Sequence, residues 1–325
     1  MTCESPNTEH IRFAMLGMVE GNGHPYSWSA IVNGYNPDRM ADCPYPVIAE
    51  YLSEQPLGEV SIADASVTHI WAKNREDAEA VAETTHIETV IDEPTDAIGE
   101  VDAIIIPTDD GDNHAARVAP LIESGLPIFV DKPLTTDVDD LGQFVEWHNS
   151  GVPLASSSAI RYAPAVEDMM VHAESAGELR WVTNCTHKTW ERYGIHALEP
   201  VARLLGPGFE CVSCTTDGGM EVYTISHKSG VTVTIAVEYD LRGSFCSLSV
   251  YGTKGSHSMK YSDTYTAFRR QLLSVVEFAR TGTPDIEFTE TVDLMACLIA
   301  GKWSRERDRR VDVSLVYESL PTEQP

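Results

Sequence analysis

IFVDKPLTTD, residues 128–137, carries an apolar run into Asp131-Lys132-Pro133. The run reads as a short buried strand. Pro133 fixes φ and has no N–H, so the ladder stops there and a turn follows. That turn sets Lys132 at the carboxyl edge of a strand, where α/β sheets bind ligands.

Working outward, the flanking residues alternate strand-like and helix-like stretches. Upstream, Ile11–Leu16 (IRFAML) is an apolar strand ending at Gly17, and Ser27–Asn33 is a helix opening with Ser27 as N-cap. A polar, Pro-bearing stretch to about Glu59 contains one short helix around Val47–Ser53. Strand Val67–Ala72, the Ala- and Glu-rich helix Arg75–Thr84, strand Ala103–Pro107 and helix His114–Ser124, stopped by Gly125, come next. Beyond the opening stretch lie helix Val138–Asn149 and strand Val152–Ser156. Strands separated by helices imply parallel pairing with right-handed crossovers, hence an α/β Rossmann domain, a doubly wound parallel sheet over residues 11–160.

The pattern changes near Gly177. Arg180–Thr186, Glu210–Thr215, Glu221–His227, Val231–Glu238, Phe245–Tyr251 and His257–Tyr261 alternate apolar and polar residues between tight turns. They read as an open, mostly antiparallel sheet with one wet face, in an α+β domain spanning 161–325. Helices are expected at Pro164–Ala176, Ile195–Leu205, Thr264–Thr281 and Thr289–Arg307.

The formal net charge of −27 repels phosphate backbones, so nucleic acid is not an expected partner. It suits either a salt-rich cytoplasm or an acidic mesophile. Apolar runs are too short for a membrane span. The N-terminal MTCESPNTEH has no basic segment followed by an apolar core, so no leader is expected. Seven scattered cysteines suit reduced thiols in a cytoplasm. Cys211-x-x-Cys214, the only close pair, falls in a strand without a second pair, so no metal site is expected.

After the first strand, a dinucleotide site wants G-x-G-x-x-G, so that backbone amides and a helix N-terminus meet the pyrophosphate. The chain offers Gly17, then Gly21-Asn22-Gly23, but Tyr26 stands at the third glycine and Pro25 removes a donor. Glu20 opposes a phosphate unless it points away. The other reading is a tight turn whose Tyr26 and Trp28 pack on the domain.

Taken in order, the Gly loop, Val67-Thr-His-Ile-Trp-Ala-Lys73-Asn74, Ile104-Ile-Ile-Pro-Thr108 with His114 six residues on, and Asp131-Lys132-Pro133 resemble the Gfo/Idh/MocA oxidoreductases. Tyr193-Gly-Ile-His196-Ala-Leu-Glu199 looks like their G-x-H-x-x-D segment, and Phe288-Thr-Glu-Thr-Val-Asp with Val311-Asp-Val looks like their closing helix and strand. The resemblance covers nearly the whole chain. It implies a dinucleotide-binding Rossmann domain, and a second domain that binds a sugar, polyol or sugar acid and forms a homo-oligomer, a dimer or tetramer.

The resemblance also implies roles. Lys132 orients the substrate hydroxyl, His196 is the acid/base, and Glu199, one turn on, steers the His196 imidazole or pairs with Arg203. Gly17, Gly21, Gly23, Lys73, Asn74, Thr108, His114, Lys132 and Pro133 are the expected cofactor contacts. Arg161 and Arg192 are the expected substrate contacts. Arg192 stands where relatives carry an Asp, and suits an anionic substrate; a one-residue shift would bring in Glu191 instead. The end of the second strand lacks the acidic residue that holds a ribose 2′-hydroxyl, and Lys73 there leans the expectation to NADP over NAD. Two other readings stay open: a non-catalytic sensor of a nucleotide or metabolite, and a lyase or glycosidase that uses bound NAD(P) transiently.

Overall fold

The computed structural model describes residues 10–320, so the N-terminal stretch read for a leader lies outside them. The first sheet contains β1 (Ile11–Leu16), β2 (Ala65–Trp71), β3 (Thr89–Val90), β4 (Ala103–Ile106), β5 (Ile128–Val130) and β6 (Leu154–Ala155). Its strand order is β3-β2-β1-β4-β5-β6, and every neighbouring pair is parallel. Helices α1 (His24–Asn33), α2 (Pro37–Ala41), α3 (Pro46–Ser53), α4 (Arg75–Thr85), α5 (His114–Val118) and α6 (Val138–Asn149) connect or flank the strands.

Successive strand residues point to opposite faces, and each face feeds a different core. Phe13, Met15, Ile105 and Phe129 pack under α1 with Trp28 and Ile31. Leu16, Ile104, Ile106, Ile128 and Val130 pack on the other side, in a core that runs on into the second domain. The carboxyl ends of β1, β4 and β5 are thereby fixed against that domain.

Several boundaries differ from expectation. Helix α1 starts at His24 with Gly23 as its cap residue, because Pro25 fits the first turn; Ser27 is interior, not the N-cap. The helix expected over His114–Ser124 is α-helical only to Val118 and finishes as a 3₁₀ segment containing Pro120. β3 is two residues long, too short for an alternation to show.

The second domain begins with α7 (Pro164–Ser175), β7 (Leu179–Thr186) and α8 (Trp190–Leu205). β8 (Phe209–Asp217), β9 (Met220–His227), β10 (Thr232–Val237), β11 (Ser247–Gly252) and β12 (Ser256–Lys260) follow. The described chain closes with α9 (Thr264–Thr281), α10 (Phe288–Arg307), β13 (Val311–Asp312) and α11 (Ser314–Tyr317). The sheet order is β12-β11-β7-β10-β9-β8-β13, antiparallel except for β7 with β10.

Helix α8 starts five residues before the expected Ile195, and Trp190 explains why it sits so firmly. Its ring stacks on Tyr223 with centroids 3.8 Å apart, and its indole N–H donates to the Leu298 carbonyl at 2.8 Å. A Cβ on Gly194 would stand 2.7 Å from this ring, and one on Gly301 2.5 Å. Two glycines thus make the slot that seats the indole. Among the described residues, no helix is long and apolar enough to cross a membrane.

Candidate active site

Between the two domains lies a cavity of about 340 Å³. The Gly21–Gly23 turn, Asp109 and Lys132 form its Rossmann wall; Tyr193, His196, His187 and Phe245 form the facing wall. Tyr45, Ile48 and Tyr51, on or next to α3, and Phe268 of α9 cover one side. Strand ends, a helix start and a helix face therefore converge on one space, as expected outside the carboxyl edge of a parallel sheet.

Lys132 follows β5, and its peptide bond to Pro133 is cis. Its ammonium is nearly buried, 3.9 Å from Asp109 and 3.8 Å from Asp131. Asp109 is also gripped by Arg192, whose Nε and Nη2 donate to its two oxygens at 2.8 and 2.6 Å. Burial would raise the Asp109 carboxyl, but Lys132 and then Arg192 hold it down at about 2. Asp131, on the far side of Lys132, accepts from Nδ1 of His24 at 2.7 Å. The result is a chain of polar contacts, Arg192–Asp109–Lys132–Asp131–His24, along one side of the cavity.

His196 lies on the opposite wall. Its Nδ1 is 2.7 Å from the Ser158 hydroxyl. Burial, and then the nearby Lys132 ammonium, hold its imidazole well below the ordinary histidine value, so it is neutral. Pro200, four residues on, has no N–H to offer the His196 carbonyl, and the Cys246 thiol approaches that oxygen at 4.0 Å instead. His187, on the same wall, is lowered to about 4 by burial and then by Lys188 and Arg242.

Glu199 does not steer the His196 ring. Its Oε1 accepts from the Ser158 backbone N–H at 2.8 Å, and its Oε2 accepts from Arg161 Nε at 2.6 Å. It supports Ser158, which in turn touches His196. Nor does Glu199 pair with Arg203, which reaches Glu167 and the Arg161 carbonyl. Burial lifts the Glu199 carboxyl; burial also works against the Arg161 charge, but Glu199 and Glu290 more than restore it. Arg161 is buried between these two carboxylates and is no part of the cavity wall, contrary to its expected substrate contact.

Other expected contacts sort in the same way. His114 is fully buried as a brace: Nδ1 lies 3.0 and 3.1 Å from the Pro133 and Leu134 carbonyls, and Nε2 lies 2.8 Å from the Thr108 carbonyl and 3.0 Å from its hydroxyl. Burial lowers its imidazole below the ordinary histidine value. Thr108 is equally buried, and its hydroxyl serves His114 and Arg117. Neither side chain reaches the cavity, because the loop after β4 folds back on the Pro133 turn. Arg192, expected to meet an anionic substrate, is committed to Asp109 and also approaches the Glu20 carbonyl. Glu191 points elsewhere, to Arg305. Asn74 caps α4 by accepting from the Glu76 N–H, beside exposed Lys73. Cys211 and Cys214 are buried thiols on β8.

The glycines of the first loop differ in what they do. Gly17, at φ +121°, lets the turn approach Thr108, where a Cβ would stand 2.9 Å from its methyl. Gly21, at φ +77°, opens on empty space, whereas Gly23 packs against Tyr45 and Ile48. Tyr26 and Trp28 are buried in the domain, as the plainer reading of this loop had it.

The sequence allowed His24, with Tyr26 and Trp28, to line a pocket, and of these His24 does; it gave no role to Asp109, Ser158, Tyr193, Phe245 and Phe268. The Ser156-Ser157-Ser158 run just after a strand was the one local signal available.

Residues 50–150 match the family model of an oxidoreductase family with an NAD-binding Rossmann fold, Gfo/Idh/MocA. An inositol 2-dehydrogenase from Rhodococcus erythropolis is 38% identical over 80 residues, which are 24% of this chain and 23% of that protein. This chain thus matches under a quarter of that relative's length. Among solved structures, myo-inositol 2-dehydrogenase from Lactobacillus plantarum aligns with TM-score 0.72 at 15% identity, over 94% of this chain and 99% of the other. Apo scyllo-inositol dehydrogenase from Lactobacillus casei aligns with TM-score 0.75 at 11% identity, over 94% and 99%. GenD2 from gentamicin A biosynthesis, in complex with NAD, aligns with TM-score 0.72 at 18% identity, over 94% and 96%. At these identities the solved structures bear on the fold. The resemblance to the Gfo/Idh/MocA oxidoreductases, and the two-sheet architecture it implies, are borne out.

Proposed function

We propose that this chain is an NAD(P)-dependent oxidoreductase that moves a hydride between the dinucleotide and a carbinol carbon of a neutral sugar or polyol. The observation that carries it is the shared cavity: the Gly21–Gly23 turn, Lys132 and His196 line one interdomain space. Three features favour a neutral, ring-shaped substrate over a sugar acid. Arg192 is already paired with Asp109. His187 and His196 are held neutral. Tyr45, Tyr193, Phe245 and Phe268 offer aromatic faces to the apolar side of such a ring.

The dinucleotide is tested against two places. Gly21, with open space where a side chain would stand, leaves backbone facing the cavity for phosphate contact. An apolar slot of about 200 Å³ at the carboxyl ends of β1, β2 and β4, lined by Leu16, Trp71, Ile106 and Leu121, suits a flat base. Donors are fewer than in the usual fingerprint, since the His24 N–H is taken by Asn22 Oδ1. The residues fit the group, with Gly17, Gly21 and Gly23 shaping the phosphate turn and Lys132-Pro133 at the nicotinamide end. Thr108 and His114 act behind them, holding the β4 loop. When bound, the dinucleotide supplies the hydride acceptor. Lys132 orients the substrate hydroxyl, and neutral His196 hydrogen-bonds it through Nε2.

Exposed Lys73 and the lack of an acidic residue at the end of β2 favour NADP. Exposed Trp181 and Tyr251, stacked 4.7 Å apart on the second sheet, support a homo-oligomer, a dimer or tetramer, assembled through the second domain, 161–325. Incubating the protein with inositols, hexoses and sugar acids, with NAD⁺ or NADP⁺, and following nicotinamide reduction tests the reading. Reduction with neutral polyols supports it; reduction only with sugar acids overturns the substrate class.

A further inference from the structure

We propose that His24, oriented by Asp131, is a catalytic residue of this cavity: the proton released from the substrate hydroxyl settles on His24 Nε2 and not on His196. The inference rests on the dehydrogenase reading above for its oxidant.

Four observations converge. Asp131 is 1% exposed and accepts from His24 Nδ1 at 2.7 Å, the separation of a charge-assisted bond. A carboxylate in that position fixes the proton on Nδ1, so Nε2 is left with its lone pair. The ring is also held in one orientation, stacked on Trp28 at 4.5 Å and meeting Phe268 edge-on at 5.3 Å. His24 lines the same cavity as Lys132 and His196. A histidine held through one ring nitrogen by a buried carboxylate, at the wall of a ligand space, is the arrangement that general-base chemistry requires.

His196 is poorly placed to keep a proton. Its imidazolium would lie among buried groups beside the Lys132 ammonium, with only a hydroxyl on Nδ1. The position that carries a carboxylate in many relatives is Arg192, which cannot accept a proton and is itself committed to Asp109. His24 stands at the first residue of α1, where the helix dipole disfavours a cation. The Asp131 charge offsets that penalty.

The step balances. The substrate O–H bond breaks, its electron pair forms the carbonyl, and the proton bonds to His24 Nε2. The hydrogen on carbon leaves with its own electron pair to the oxidised dinucleotide of the proposed function. The His24 imidazolium is then paired with the Asp131 carboxylate.

The test has two arms. In the first, His24→Gln is expected to lower kcat by roughly 100-fold or more with KM little changed, and added imidazole is expected to restore part of the loss in His24→Ala. Asp131→Asn is expected to lower kcat as well, by misorienting the ring. The second arm needs no turnover: nitrogen-15 NMR of the unliganded protein is expected to show the His24 proton on Nδ1, and Asp131→Asn to shift it towards Nε2. In the same protein, diethyl pyrocarbonate is expected to modify His24 faster than His196. Retained kcat in a folded His24→Gln protein, a proton on Nε2 in the wild type, or slower modification of His24 than of His196 overturns the assignment. If the wild type reduces no nicotinamide with any polyol, the dehydrogenase reading fails by itself, and the second arm still decides the state of His24.

Discussion

Arg192 of α8 and Asp109 of the β4 loop join the two domains through a two-pronged ion pair, at 2.8 and 2.6 Å. Asp109 is almost wholly buried while Arg192 keeps about a third of its side chain in solvent, at 35%. Removing the arginine leaves a buried carboxylate with only Lys132 nearby. Arg192→Ala is therefore expected to cost about 1–2 kcal/mol, after discounting for the exposed guanidinium, as read by urea unfolding. Asp109→Asn, which takes the carboxylate from both Arg192 and Lys132, is expected to cost at least as much, about 2 kcal/mol; an unchanged stability in both variants would contradict this account.

Asp109 also gives a pH dependence with a definite sign. Its folded value, about 2, lies below the ordinary carboxylate range. A depressed carboxylate stabilises the fold above its unfolded value and loses that contribution as pH falls through the folded one. Roughly 2 kcal/mol is expected to disappear between about pH 4 and pH 2. Acid unfolding of wild type against Asp109→Asn checks it, since the variant lacks that component.

Lys132 depresses the His196 imidazole, second only to burial. Lys132→Met removes that cation and is expected to raise the His196 titration towards the ordinary value, measured by NMR in the unliganded protein. The same variant is expected to lose most activity, because Lys132 is the group proposed to orient the substrate hydroxyl. An unmoved His196 titration would show that burial alone sets it.

The Arg161–Glu199 pair is interior architecture behind the cavity. Glu199→Gln is expected to destabilise the protein by about 2 kcal/mol, since buried Arg161 keeps Glu290 but loses one of its two carboxylates. Ser158→Ala, by contrast, touches His196 directly and is expected to weaken turnover more than stability. Thermal melting set beside kcat for the two variants separates these roles.

Much of the fold was readable from local pattern. Apolar strands such as IRFAML, and Pro133 after a strand, declare themselves over a few residues. Lys132 was legible for the same reason, and His196 through the motif around it. The pairings that define the site were not, because they join residues far apart: His24 with Asp131 across 107 positions, Arg192 with Asp109 across 83, Ser158 with His196 across 38. Arg161, His114 and Glu199 were misjudged in a common way. Each is a polar group whose neighbours in sequence suggest a ligand, while its neighbours in space are a complementary set of protein atoms. Burial with a partner and exposure to a substrate draw on the same residue types, and only the fold distinguishes them.

Helix α8 brings four separate duties onto one rod. Trp190 seats it in the second domain, Arg192 grips the first, His196 faces the cavity, and Glu199 supports the segment behind it. Along an α-helix each residue advances about 100° around the axis, so these positions are correct only relative to one another. Single substitutions can be absorbed one duty at a time. A one-residue insertion after Trp190 would turn the other three away from their partners together, so this helix is frame-sensitive. Substitution costs such a helix one contact at a time, while a change of length costs it several at once.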